Sequence, residues 1–150
     1  MRERIRSAVA WLALVASVSC GSTDLDELDA ALLVEPIPPG RPDSLLVRLE
    51  NHSATSAAYN LCAETLLERD TGGGWLTIQG MGPGPDSEET GRFCILTLET
   101  LAPGEVAMDV MRPALEWPEG HYRVRTTVFT SDGRDHPVPS QVFEIVLDTP

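Results

Sequence analysis

Histidine, cysteine and carboxylate side chains are the groups from which a chain of 150 residues could assemble a reactive centre, and this one holds 3 His, 3 Cys and 23 Asp plus Glu. His52, His121 and His136 each fall at a strand end or in a loop by the local pattern, and a zinc site would need all three to converge from separate segments, so they read as solvated. Asp135-His136 has the makings of an acid-base pair, yet Pro137-Val138-Pro139 beside it marks a surface loop with no nucleophile in reach. Asp24, Asp26 and Asp29 lack the glycine and the distal glutamate that a twelve-residue calcium loop requires. There is no Gly-x-Ser-x-Gly elbow, His-Glu-x-x-His pair, phosphate-cradling glycine loop or Cys-x-x-Cys. The chain is therefore read as noncatalytic, with no metal ion and no cofactor. Trp75 and Trp117 could stack on a ligand, but aromatic residues make up only 5% of the chain and a core needs most of them. Trp75 is expected in the core; Trp117, between Glu116 and Pro118, fits either place. Asn51-His52-Ser53 matches a glycosylation acceptor, a three-residue pattern of little content by itself.

The N-terminus is an address. Arg2, Arg4 and Arg6 outweigh Glu3, an apolar stretch over 8–18 follows, and small residues Ser17, Val18 and Ser19 lead to Cys20, which is the three-part secretory signal pattern. The apolar stretch is about half the ~20 residues that cross a hydrocarbon core as a helix, so it reads as a signal segment over 1–19 and not as an anchor. Ser17-Val18-Ser19-Cys20-Gly21 resembles a bacterial lipoprotein box, with Ser17 where leucine is usual. That resemblance implies acyl chains on Cys20 that hold the protein at a bilayer surface, and Gly21 after the cysteine implies an outer membrane in a host that has one. With Cys20 given to lipid, Cys62 and Cys94 form an even pair in an oxidising compartment. A disulfide is the expected state, stabilising by roughly 3 to 4 kcal/mol. A reactive thiol would want basic neighbours; Cys62 stands near Glu64, and Cys94 between Phe93 and Ile95.

Charge narrows the partners. Acidic residues outnumber basic ones 23 to 11, for a net charge of -12, and every basic residue is arginine, which argues against binding nucleic acid through its phosphates. Residues 20–29 are polar and acidic and read as a tether, leaving 30–150 as one folded domain.

The elements that must position any site are strands. Beyond residue 30 helical periodicity is nearly absent, and short β-rich runs recur between Gly and Pro clusters. Expected strands cover 30–35, ended by Pro36 and the prolines after it, then 44–51, 57–69, 75–78, 93–99, 106–111, 121–130 and 141–147. In 44–51, Leu45, Val47 and Leu49 share a face; in 121–130, Tyr122, Val124, Thr126 and Val128 do. A helix over 63–70 competes with the third run, but the Asp70-Thr71-Gly72-Gly73-Gly74 turn favours a hairpin into Trp75. Met81 to Gly91, rich in Gly, Pro and acids, is expected as a long exposed loop. Seven or eight such strands bury their apolar faces against each other as an antiparallel β-sandwich.

From about Leu45 to Val146 the chain resembles a bacterial immunoglobulin-like domain of exported lipoproteins. The resemblance rests on Leu49-Glu50-Asn51, on Leu67-Glu68-Arg69 leading through Gly74 to Trp75, on Leu101-Ala102-Pro103-Gly104, and on Gly120-His121-Tyr122-Arg123 with Phe143 in the last strand. It implies that Tyr122 bonds back to the turn before its strand. The antibody cysteine pattern is absent, since Cys94 lies too near Cys62 and Val124 stands two residues after Tyr122. Two functions fit these expectations. One is a lipid-anchored immunoglobulin-like module that binds or supports an envelope or extracellular protein through its loops. The other is a small protease inhibitor presenting the extended loop Met81 to Gly91.

Overall fold

A computed structural model describes residues 28–39, 42–80, 94–112 and 117–146. Among them the chain forms ten strands and one short helix: β1 (Ala30–Ile37), β2 (Ser44–Asn51), β3 (Ala57–Tyr59), α1 (Leu61–Glu64), β4 (Leu66–Asp70), β5 (Trp75–Gly80), β6 (Glu99–Leu101), β7 (Val106–Met111), β8 (Gly120–Phe129), β9 (Asp135–Pro139) and β10 (Phe143–Ile145). They lie in two antiparallel sheets. The smaller has the order β1-β2-β7; the larger runs β5-β4-β8-β3-β6, with β9 and β10 also paired to β8. β8 organises the larger sheet. Arg125 pairs with Leu66 of β4 and Pro139 of β9, so those strands flank it on opposite sides. Val128 pairs likewise with Tyr59 of β3 and His136 of β9, which puts β3 on the same side as β4. By the same logic β10 continues β9, because Tyr122 pairs with both Arg69 and Phe143. Counted as continuous ladders the strands come to eight, the upper end of the number the alternation predicts.

The core lies where alternation places it. Leu45, Val47 and Leu49 of β2 and Tyr122, Val124 and Val128 of β8 are completely buried, facing Leu32 and Val34 of β1, Leu67 of β4 and Met111 of β7. Two polar side chains enter this core as a satisfied pair, the Thr65 hydroxyl donating to Thr126 Oγ1 at 3.0 Å, so neither carries the cost of an unmet hydrogen bond. Buried Asn51 closes the end of β2. Its Nδ2 donates to the carbonyls of Thr55 and Leu101, each at 2.9 Å, while its Oδ1 accepts from the Ser53 amide and hydroxyl. The amide of this apparent glycosylation acceptor is thus committed to the fold.

Several expectations change in the folded chain. Trp75 is half-buried on β5 and outside the core, whereas Trp117 is buried. Its indole stacks on Tyr122 at 5.6 Å between ring centroids and tilts against Phe143 at 6.3 Å. β1 runs through Pro36 to Ile37, which a sheet edge tolerates because the missing N–H faces no ladder partner. Asp135-His136-Pro137-Val138-Pro139 is the edge strand β9 and not a loop, for the same reason. The run 57–69 is interrupted by α1, whose start is set by Asn60: its Oδ1 accepts the Ala63 amide at 3.0 Å, the N-cap bond that pulls the chain out of the strand. The expected strand 93–99 forms its ladder only from Glu99 onward, and the last strand covers Phe143–Ile145 alone. The signal segment, Cys20 and the Met81 to Gly91 loop lie outside the described residues.

Candidate protein-binding surface

The residues singled out for chemistry are spread over the fold. His52 follows β2, with its Nε2 at 2.8 Å from Glu50 Oε2; His121 is exposed near the start of β8, and His136 is half-buried on β9. Among the described residues no three His, Cys, Asp or Glu side chains gather as a metal site. A recess lined by Thr55, Thr130, Ser131 and Asp132 has room for a water molecule and nothing larger. Within its rim, hydrogen bonds from Thr130 Oγ1 and Arg134 Nε hold the Asp132 carboxyl down to about 2, stabilising a turn.

Tyr122 fastens the end of the sandwich. Its hydroxyl donates to the Pro118 carbonyl at 2.6 Å, four residues upstream, and burial pushes its phenol up against the opposing pull of the nearby Arg69 charge. The second tyrosine, Tyr59, is pushed up to about 12, first by burial and then by its hydrogen bond to Glu99 Oε2 at 2.9 Å. These are the protein's 2 tyrosines. Both phenols stay protonated in the fold while an unfolded tyrosine ionises near pH 10. Their contribution to stability is therefore present below pH 10 and is lost as pH rises from there through the folded values. Absorbance at 295 nm should show tyrosinate appearing at higher pH in the folded protein than in the unfolded chain; two tyrosines that both ionise near pH 10 with native far-UV circular dichroism would contradict the burial described.

The outer face of the larger sheet carries a charged stack. Glu68, on β4 and only 5% exposed at its side chain, accepts from Arg123 Nε at 2.7 Å and Arg125 Nε at 2.8 Å. The Arg123 guanidinium lies 4.2 Å from the centroid of Trp75, a cation-π contact that explains why this indole prefers the sheet surface to the core. Register makes the stack: Glu68 is directly opposite Arg123, and Trp75 leads the neighbouring strand. Burial acts to raise the Glu68 carboxyl, but hydrogen bonds from Arg125 and Arg123 outweigh it and the net displacement is downward. A carboxylate so satisfied is a poor general base.

A second surface is more exposed. Cys62 of α1 is bonded to Cys94, with their α-carbons 5.5 Å apart. After Cys94 the chain runs without turn or ladder to β6, with Ile95 78% exposed, Leu96 86% and Leu98 46%. Buried Asn60 holds this segment from behind: its Nδ2 donates to the Ile95 carbonyl at 2.7 Å and to the Thr97 carbonyl at 3.1 Å. One asparagine thus caps α1 with its oxygen and pins two carbonyls with its nitrogen, beside the cysteine that pins the segment's start. Sequence alternation reads these residues as a strand. The signal that could have revealed the segment is the adjacency of two apolar residues, Ile95 and Leu96, where a half-buried strand would alternate, together with an asparagine two residues before Cys62.

No protein-family model matches the chain, and no curated protein matches it. Solved structures do. The crystal structure of the ApaA protein assigned in Bordetella pertussis is similar at a TM-score of 0.46 and 16% identity, covering 82% of this chain and 94% of that one. The X-ray structure of a structural-genomics target named SoR45 is similar at 0.45 and 15%, covering 81% and 84%. The archaellum periplasmic stator protein complex FlaF and FlaG from Sulfolobus acidocaldarius is similar at 0.45 and 11%, covering 95% and 99%. The likeness is one of chain path, and no functional residue is carried over from it.

Proposed function

We propose that this protein is a noncatalytic, exported, immunoglobulin-like β-sandwich, held at the cell envelope by acyl chains on Cys20, that works by presenting a preformed surface segment to another protein. The observation that carries the reading is the segment from Cys94 to Leu98, which exposes three large apolar side chains while its backbone is tied down by a disulfide and by Asn60. Leaving apolar side chains in water on ordered backbone is unfavourable for a monomer, and such exposure is a mark of interaction surfaces. The disulfide supports an oxidising compartment. The three-stranded sheet facing the larger one, with Tyr122 bonded back to Pro118, supports the immunoglobulin-like description. The strongly acidic composition supports a protein partner over a nucleic acid.

Two measurements test this. Cys20→Ala should move the protein from the membrane fraction to the soluble exported fraction, because a small acidic domain has no electrostatic attraction to anionic lipid; a variant that stays in the membrane fraction refutes acyl anchoring. A photo-crosslinking amino acid in place of Leu96 should capture one stoichiometric protein in the native envelope. The same probe at Arg134, on the turn between β8 and β9, should capture none. Equal capture at both positions, or none at either, would refute the assignment of this segment.

A further inference from the structure

Resting on the reading of Cys94 to Leu98 as a protein-binding segment, we infer that its partner is a serine endopeptidase with an apolar specificity pocket, and that the segment binds as a substrate-like inhibitor with Leu96 in that pocket and the Leu96–Thr97 peptide at the enzyme's nucleophile. The inference starts from the carbonyls. Those of Ile95 and Thr97, two residues apart, both accept from the same Asn60 nitrogen. In a stretch that is neither helix nor turn, carbonyls at i and i+2 that reach the same group mark an extended backbone, in which the carbonyl between them points the other way. The Leu96 carbonyl is therefore turned from the scaffold, on the residue whose side chain is the most exposed of the segment. An extended strand with an outward central carbonyl and a projecting side chain is how an endopeptidase receives a substrate: the enzyme's main chain pairs with the strand, one side chain fills the pocket, and the oxyanion hole takes the carbonyl oxygen.

Preorganisation separates an inhibitor from a substrate. A flexible loop loses its conformational freedom on binding, whereas this one is ordered beforehand, so more of the contact energy appears as affinity. The scaffold also deals with cleavage. When the enzyme's serine Oγ attacks the Leu96 carbonyl carbon, the bond to the Thr97 nitrogen breaks, the hydroxyl proton passes through the enzyme's histidine to that nitrogen, and an ester on Leu96 and an amine on Thr97 result. In most substrates the amine leaves. Here the acyl side is held by Cys94–Cys62 and by Ile95 on Asn60, and the amine side by Thr97 on Asn60 and by β6 paired to β3. Tyr59 adds its hydrogen bond to Glu99 just beyond. All these anchors belong to 57–64, so the amine stays beside the ester, attacks it, returns the proton to the serine and restores the peptide. Leucine suits an apolar pocket, and the segment offers no Lys or Arg to a pocket floored by a carboxylate.

The test uses the full chain, purified from membranes in detergent with its disulfide intact, titrated against chymotrypsin, subtilisin and trypsin with chromogenic peptides. Near-stoichiometric loss of chymotrypsin or subtilisin activity, with trypsin unaffected, is expected. Leu96→Arg should exchange the preference, gaining trypsin and losing the apolar-pocket enzyme on the order of 100-fold. Asn60→Asp keeps the oxygen that caps α1 but removes both donors, and should weaken inhibition by about tenfold or more while mass spectrometry finds the Leu96–Thr97 bond cut. Near-UV circular dichroism confirms that each variant is folded. A folded protein that inhibits none of the three enzymes, or a Leu96→Arg variant with unchanged preference, overturns the inference. If the crosslinker at Leu96 nonetheless captures a single partner that is not a peptidase, only the protease assignment falls; if it captures nothing, the binding reading falls with it.

Discussion

Replacing Cys62 and Cys94 together by alanine is expected to lower the unfolding free energy by about 3 to 4 kcal/mol. The two residues are 32 apart in sequence, and the bond removes from the unfolded chain the freedom of a loop of that length. Against a total of roughly 5 to 15 kcal/mol for a domain of this kind, that loss is large, and it corresponds to a fall in Tm of about 10 to 15 °C. The bond also links α1 to a segment with no ladder of its own, so its removal should act locally before it acts globally. Amide exchange should rise first at Ala63 and Glu64, whose amides bond to Asn60 beside the lost bond, while the β2 and β8 ladders keep their protection. Urea unfolding of the paired variant at pH 7, compared with the parent, checks the magnitude. A change under about 1 kcal/mol would mean that the fold holds these residues together without the bond.

Glu68→Gln is expected to destabilise the protein by about 2 to 3 kcal/mol at pH 7. The substitution conserves volume, so no cavity opens, and the effect isolates charge and hydrogen bonding. The carboxylate accepts from two guanidinium groups at once. A glutamine offers one acceptor and turns an amide donor toward the other arginine, leaving a repulsive contact in a place where the carboxylate was nearly buried. The figure stays below that for a fully enclosed pair because Arg123 and Arg125 are 23% and 30% exposed at their side chains and can recover water. Acidity should reproduce the effect. The folded carboxyl titrates below its unfolded value, so its stabilisation is complete above the unfolded pKa near 4.5 and is lost as pH falls through the lower folded one. The parent should therefore approach the Gln variant in stability as pH drops from 5 toward 3, and a constant gap between them over that range would show that charge is not the cause. Trp75, stacked on Arg123, gives a fluorescence readout of the site.

Much of the scaffold was legible because alternation is a local signal. Leu45, Val47 and Leu49, and Tyr122, Val124 and Val128, announced two buried faces, and an apolar face every second residue has few places to go except against another sheet. Proline was harder to read. Pro36, Pro137 and Pro139 looked like strand breakers, yet whether proline breaks a strand depends on which side of it carries a neighbour, a fact about the whole sheet. The same holds for the indoles. Local context favoured Trp75 for the core, and what put it over a guanidinium and Trp117 against Tyr122 was the register between β4, β5 and β8 and the aromatic cluster at the sandwich end.

By itself the sequence determined the sheet class, the faces of its long strands and the acidic balance, because each follows from composition or from neighbours along the chain. Only the tertiary structure decided that Cys94 to Leu98 is no strand but an exposed segment. The physical reason is Asn60: it lies 35 and 37 residues away from the carbonyls it holds, and its two donors replace the ladder partner that alternation had led one to expect. A hydrogen bond across such a distance leaves no periodic trace in sequence, since it depends on where the fold brings one side chain.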